Sequence, residues 1–195
     1  MNEDQIYRLL RLLMLALGRL PRWLADFFAH LLGLLWFKVD ARHRNITLEN
    51  LTRAFGDQMT PDQIEILGKR VFKNIINILF EFAWSLKFDR DTFLSHFTIK
   101  GVEHVKQAHA KGKGVIGLLC HLGNFEMLIA GIEPVGVKGY AIYRRLDFEP
   151  LDRLIREGRS RFNLEVIPKG KSFKKAEAVL KRGEIVGSLL DQSVS

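Results

Sequence analysis

From residue 97 onward the sequence predicts an α/β fold, a mostly parallel sheet flanked by helices, and three observations predict it. Short apolar runs at 97–100, 115–120, 137–143, 164–167 and 185–190 have the length of strands and are separated by segments of helical pattern. Apolar strands alternating with helices are the pattern of a parallel sheet covered on both faces. No repeat or low-complexity linker interrupts the 195 residues, which are enough to bury a sizeable core.

The elements before the sheet are helical. Residues 6–37 are rich in leucine and aromatics, but Arg8, Arg11, Arg19, Arg22, Asp26 and His30 interrupt them and Pro21 divides them. No stretch reaches the roughly 18 apolar residues of a clean membrane span. Arginines inside the apolar part also argue against a cleavable leader. Two amphipathic helices broken at 18–21 fit better, with arginine stems lying along apolar surface and Trp23 and Trp36 suited to headgroup depth. Packing on the rest of the fold is the plainer alternative, and a tilted single span stays open. Membrane contact is preferred, because apolar residues cover more of the segment than one buried face requires. The expected division is therefore a membrane-associated helical extension over 1–40 and an α/β domain over 41–195.

Residues 42–55 read as a helix. Thr60, Pro61 and Gln63 then supply a cap, a first-turn proline and a capping box for a helix running to about residue 84. Ile64, Leu67, Val71, Ile75, Ile78, Leu79 and Phe82 form its apolar stripe, which is core and carries no chemistry.

The apolar run 115–120 is followed by His121-Leu122-Gly123-Asn124-Phe125-Glu126 and then by an apolar stretch over 125–132 that reads as a helix. An imidazole and a carboxylate thus meet at a strand-to-helix turn, where unpaired backbone N–H groups favour negative charge and glycine lets the backbone turn sharply. A histidine oriented by a carboxylate is the minimal general-base unit, so His121 with Glu126 is the candidate catalytic pair. Cys120 invites a nucleophile reading, but a cysteine closing an apolar strand more often behaves as a small buried hydrophobe. As a lone cysteine it makes no internal disulfide. No metal ligand set emerges: His104 and His109 lack the i, i+4 spacing of a zinc helix, and His30, His43 and His96 are isolated.

The segment 112–120 followed by HLGNFE resembles the histidine block of the lysophospholipid acyltransferase superfamily, a histidine followed five residues later by an acidic residue. It is most similar to the lipid A biosynthesis acyltransferases, whose block reads His-Phe-Gly-Asn-Trp-Glu. His121, Gly123, Asn124 and Glu126 match, while Leu122 and Phe125 replace two aromatics. Tyr143-Arg144 falls where that family has Tyr-Arg-Pro, residues 156–167 resemble its basic helix running into an Ile-Pro turn, and Asp191-Gln192 resembles its Asp-Gln motif. Arg145 stands in place of the usual proline. The family continues beyond the strand at 185–190, so the resemblance implies a C-terminally truncated fragment. It also implies a bacterial inner-membrane enzyme on the cytoplasmic face, which transfers a fatty acyl chain from an acyl-carrier protein or coenzyme A thioester. No other cofactor is implied.

Charge narrows the partners. Between residues 144 and 182 there are twelve Lys or Arg against six Asp or Glu, within an overall net charge of +8. Such a stripe meets nucleic acid, anionic lipid or an acidic carrier protein. Nucleic acid is disfavoured, because no recognised binding motif accompanies the charge and the apolar N-terminus would go unexplained. Lys171, Lys174, Lys175, Lys181 and Arg182 read as a solvated helix face. Arg144, directly after a strand, is placed to grip a phosphate of a membrane lipid acceptor, with Arg156 and Arg159 as further candidates. Asn124 is a candidate for orienting an oxyanion, and Asp191, at a strand end, for orienting a basic residue. The resemblance implies a lipid A precursor or related glycolipid as acceptor; a lysophospholipid or another glycolipid as acceptor and a non-catalytic membrane-binding module are the alternative readings.

Overall fold

The computed structural model describes residues 1–191, and the contacts of the chain divide it into two units. Leu15–Lys87 form one, and Met1–Met14 pack with the chain from Phe88 onward in the other.

The 15–87 unit holds three long helices, α2 (Arg22–Val39), α3 (Ala41–Phe55) and α4 (Pro61–Ser85), within one residue of the expected bounds of the last two. Asp40 ends α2 and caps α3: its carboxylate accepts from the His43 N–H at 3.1 Å, the Trp36 indole at 3.0 Å and the His43 ring at 2.6 Å. These hydrogen bonds, led by the His43 backbone N–H, lower its carboxyl to about 2. At the start of α4 the expected capping box forms. The Gln63 side chain accepts from the Thr60 N–H at 2.8 Å, and Thr60 Oγ1 accepts from the Gln63 N–H at 3.4 Å. Trp36 and Phe37 of α2 pack edge-on against Phe72 of α4, with centroids 4.8 and 5.3 Å away. Among the described residues no helix is long and apolar enough to cross a membrane. Trp23, Phe27, Leu31 and Leu35 are nevertheless exposed along α2 at four-residue steps.

The other unit carries the sheet. It contains the first fourteen residues of the chain, which from Glu3 onward lie in α1 (Glu3–Leu17), then α5 (Arg90–Leu94) and α6 (Val102–His109). There follow β1 (Val115–Leu119), a 3₁₀ helix (Phe125–Gly131), β2 (Gly139–Tyr143), α7 (Glu149–Arg159), β3 (Leu164–Pro168), α8 (Ser172–Lys181) and β4 (Ile185–Leu189). The four strands are all parallel in the order β1-β4-β2-β3, as the α/β pattern predicts.

Two expected elements differ. Residues 97–100 are not a strand; Phe97 and Ile99 pack instead on a cluster of Phe93, Ile129 and Ala130. Their apolar character serves this cluster and no ladder. The stretch after the histidine turn forms a 3₁₀ helix and not an α-helix, and a second 3₁₀ turn with Pro134 near its start follows it.

Cover of the sheet is also less complete than expected. Tyr140, Ile167 and Val186 share one face and bury Val179 of α8. Ile116 and Leu118 stand in register with Val186 and Ser188 and so share that face, yet they are 63% and 71% exposed. The reason is that α8 packs on β4, β2 and β3, and the edge strand β1 lies beyond it. On the same unit's amino edge Glu133 is fully buried, accepting from Arg90 Nε and the Asn163 N–H, both at 2.5 Å. That carboxylate ties the start of α5 to the start of β3.

Candidate active site

The turn after β1 is built to present His121. Gly123 takes φ +61°, a left-handed conformation that favours glycine, so the chain reverses within two residues of the imidazole. Asn124 Oδ1 then accepts from the Glu126 N–H at 3.1 Å and caps the 3₁₀ helix. Phe125 packs edge-on against the imidazole, centroid to centroid 4.7 Å.

The partner of His121 comes from the neighbouring strand. Because β4 lies beside β1 and the Leu190 N–H donates to the Leu119 carbonyl at 3.2 Å, Asp191 emerges next to His121. Its two oxygens are both used: Oδ2 accepts from the His121 N–H and Oδ1 meets ring Nδ1, each at 2.8 Å. The imidazole bond, followed by the backbone bond, holds the Asp191 carboxyl below its usual range. An Nδ1 hydrogen held by a carboxylate leaves Nε2 as the basic nitrogen. The basic group beside Asp191 is thus the His121 imidazole. Gln192 lies outside the described residues.

Glu126 is engaged elsewhere than at His121, where the sequence paired it. Arg159, near the end of α7, donates from Nε to Oε2 at 2.9 Å and from Nη2 to Oε1 at 2.5 Å. Both groups are largely buried, so this is a two-point pair in a partly dry environment. The physical reason is topological: α7 runs behind the 3₁₀ helix and offers a planar fork that matches a carboxylate, whereas His121 is already satisfied by Asp191.

The other arginines separate into paired and open. Arg156 contacts Glu149 at 3.3 Å and the buried Asp152 at 3.4 Å. Arg145 sits at 3.1 Å from Glu149 and 3.8 Å from Asp152. Asp152 also accepts from the Leu146 N–H at 2.8 Å and so fixes the loop that carries Arg144 and Arg145. Arg144 keeps a side chain 78% exposed, with Asp147 at 3.5 Å. Arg156 and Arg159, expected to reach a substrate anion, are committed to carboxylates of this chain. Cys120, expected to be buried, is exposed, because the end of β1 runs past the covered part of the sheet. Among the described residues no group of three His, Cys, Asp or Glu gathers as a metal site.

Sequence reasoning found the histidine turn and named Asp191 and Arg159 without finding their partners. The missing signal was strand order, since β4 beside β1 is what brings residues seventy positions apart together. Comparison with curated proteins finds no match. A family model described as bacterial lipid A biosynthesis acyltransferase matches residues 5–195, and the chain belongs to that family.

Proposed function

We propose that the protein transfers a fatty acyl chain from an acyl thioester, with acyl-carrier protein as donor, to a hydroxyl of a lipid A precursor at the cytoplasmic face of the bacterial inner membrane. The observation that carries this reading is the His121–Asp191 pair at the carboxyl edge of a parallel sheet, in a chain of an acyltransferase family. His121 Nε2 removes the proton of the acceptor hydroxyl as its oxygen attacks the thioester carbonyl. The tetrahedral intermediate collapses with cleavage of the C–S bond, and the imidazolium returns the proton to the leaving thiolate. Asp191 fixes the ring and stabilises the imidazolium, while Glu126, held by Arg159, secures the backbone behind the turn. In this reading Asp191 takes the role that the sequence gave to Glu126.

The open guanidinium of Arg144 supports contact with a phosphate of the acceptor. The net charge of +8 favours an acidic carrier, and the exposed apolar stripe of α2 favours an interfacial membrane contact.

The test is acyl transfer from labelled acyl-carrier protein to lipid A precursors and to lysophospholipids, with His121→Ala as control. Product that depends on His121 on a lipid A precursor supports the reading, and product on lysophospholipid alone moves the acceptor. Undiminished transfer by folded His121→Ala protein would falsify the mechanism.

A further inference from the structure

The first helix of the chain packs with the unit that holds the histidine turn, and its contacts there are specific. Tyr7 Oη donates to Glu157 Oε2, and Arg11 Nε donates to Glu157 Oε1 at 3.1 Å. Asp4 accepts from Arg153 Nη1 at 2.7 Å, and the Arg153 guanidinium stacks over the Tyr7 ring at 4.0 Å from its centroid. Asp4, Tyr7 and Arg11 recur at three- and four-residue steps and so share one face of α1. Arg153 and Glu157 are four apart and share one face of α7. Burial and the hydrogen bond to Glu157 raise the Tyr7 hydroxyl pKa, so it remains a donor through neutral pH.

We infer that this clasp makes Asp4, Tyr7 and Arg11 positioning residues for the active site, acting through Arg153 and Glu157 on α7; the inference rests on the acyltransferase reading above. Glu157 lies two residues before Arg159, so the clasp and the Arg159–Glu126 pair leave α7 in different directions. Two lines of contact on different faces fix the rotation of a helix about its axis, which one line does not. Rotation matters here because a two-point pair between a guanidinium and a carboxylate requires a common plane. Displacing the Arg159 fork releases Glu126, and Glu126 heads the 3₁₀ helix that closes the His121 turn. Exposed ion pairs such as Arg11–Glu157 and Asp4–Arg153 add little to stability individually. Their concentration on one helix that also holds a catalytic-edge arginine points to alignment. The opposite face of α1 exposes Leu9, Leu12 and Leu13, so the same rigid element carries an apolar outer surface.

The experiment uses the full chain with Tyr7→Phe, Glu157→Gln and the conservative Arg11→Lys. Two quantities are read: steady-state acyl transfer, and hydrogen exchange of the backbone over 121–131. The expected result for Tyr7→Phe and for Glu157→Gln is a kcat about tenfold lower with both KM values within about twofold of wild type, and faster exchange over 121–131. Arg11→Lys keeps a cation beside Glu157 and the Tyr7 hydrogen bond, and should stay within about threefold of wild type. A merely structural contact would lower the melting temperature without this split between kcat and KM. Unchanged exchange and kcat in Tyr7→Phe and Glu157→Gln, or a loss in Arg11→Lys as large as theirs, overturns the inference while leaving the acyl-transfer reading intact. Should wild type transfer no acyl group, faster exchange in Tyr7→Phe and Glu157→Gln alone sustains the clasp, and it is the functional reading that fails.

Discussion

Arg159 and Glu126 form a two-point ion pair, 2.9 Å from Nε to Oε2 and 2.5 Å from Nη2 to Oε1, which joins α7 to the 3₁₀ helix behind His121. The carboxylate of the histidine block is thereby a fixed part of the scaffold, and the imidazole turns to Asp191. This relation separates two mechanisms that share the same residues. If Glu126 were the partner of His121, Glu126→Gln would shift the pH profile of kcat. With Arg159 as its partner, Glu126→Gln lowers kcat and leaves the shape of the profile unchanged. Arg159→Lys has the same effect, because an ammonium replaces a planar fork with a point charge. Each single variant should lose about 10–100-fold in kcat, and the Glu126→Gln, Arg159→Lys double should lose no more than the worse single. Additive losses in the double would show that the two residues act separately.

Asp191→Asn should be more damaging. An amide at this position can present N–H to Nδ1 and select the wrong tautomer, which removes the lone pair from Nε2. A loss of about 10²–10⁴-fold in kcat is expected, with little change in KM, and steady-state kinetics with one labelled donor reads it.

The lowered carboxyl of Asp191 adds a dependence on pH that can be checked without substrate. Its hydrogen bonds from the ring and the backbone N–H of His121 depress the folded-state pKa. The stabilisation it contributes is therefore complete above the unfolded carboxylate value of about 3.9 and disappears as pH falls through the lower folded value. Melting curves of wild type and Asp191→Asn should differ near neutrality, and the gap should begin to narrow as pH falls below about 4 and close once it passes the lower folded-state value. A gap that persists at lower pH would locate the effect of the substitution elsewhere than in the charge.

How far the sequence reached is visible at these residues. The turn around His121 was legible because it is local, an apolar run and a glycine within ten positions, although the cap that Asn124 forms was not read from it. The capping box of α4 was legible for the same reason. The partners of His121 and Glu126 were not, since they depend on which strand lies beside β1 and on which helix passes behind the turn. Residues 97–100 misled because four apolar-rich positions look alike whether they pair in a ladder or fill a cluster under Phe93. Cys120 misled because the pattern does not say where cover by α8 ends.

Arg144 follows β2 directly and keeps most of its guanidinium in solvent, unlike Arg156 and Arg159. Arg144→Ala should raise KM for a phosphorylated acceptor by about 10-fold or more, leave donor KM unchanged and shift the melting temperature little. An acceptor lacking phosphate should show no difference between wild type and variant. Equal KM values on the phosphorylated acceptor would remove Arg144 from the binding surface.

In the 15–87 unit α2 and α4 approach closely at Gly33. A Cβ placed there would lie 2.7 Å from both the N and the Cα of Lys73, so α2 meets the backbone of α4 with nothing between. Backbone atoms in the middle of a 25-residue helix do not yield as the end of a flexible side chain would. Gly33→Ala must push α2 outward and loosen the contact of Trp36 and Phe37 with Phe72, which lies beside Lys73. Overpacking of this kind costs about 1–3 kcal/mol. Gly131 is the control: a Cβ there meets nothing within 4 Å. Gly131→Ala should stay within about 0.5 kcal/mol of wild type. Urea unfolding followed by tryptophan fluorescence reports on the first substitution through Trp36. Equal midpoints for the two variants would mean that α2 and α4 do not meet as closely in solution.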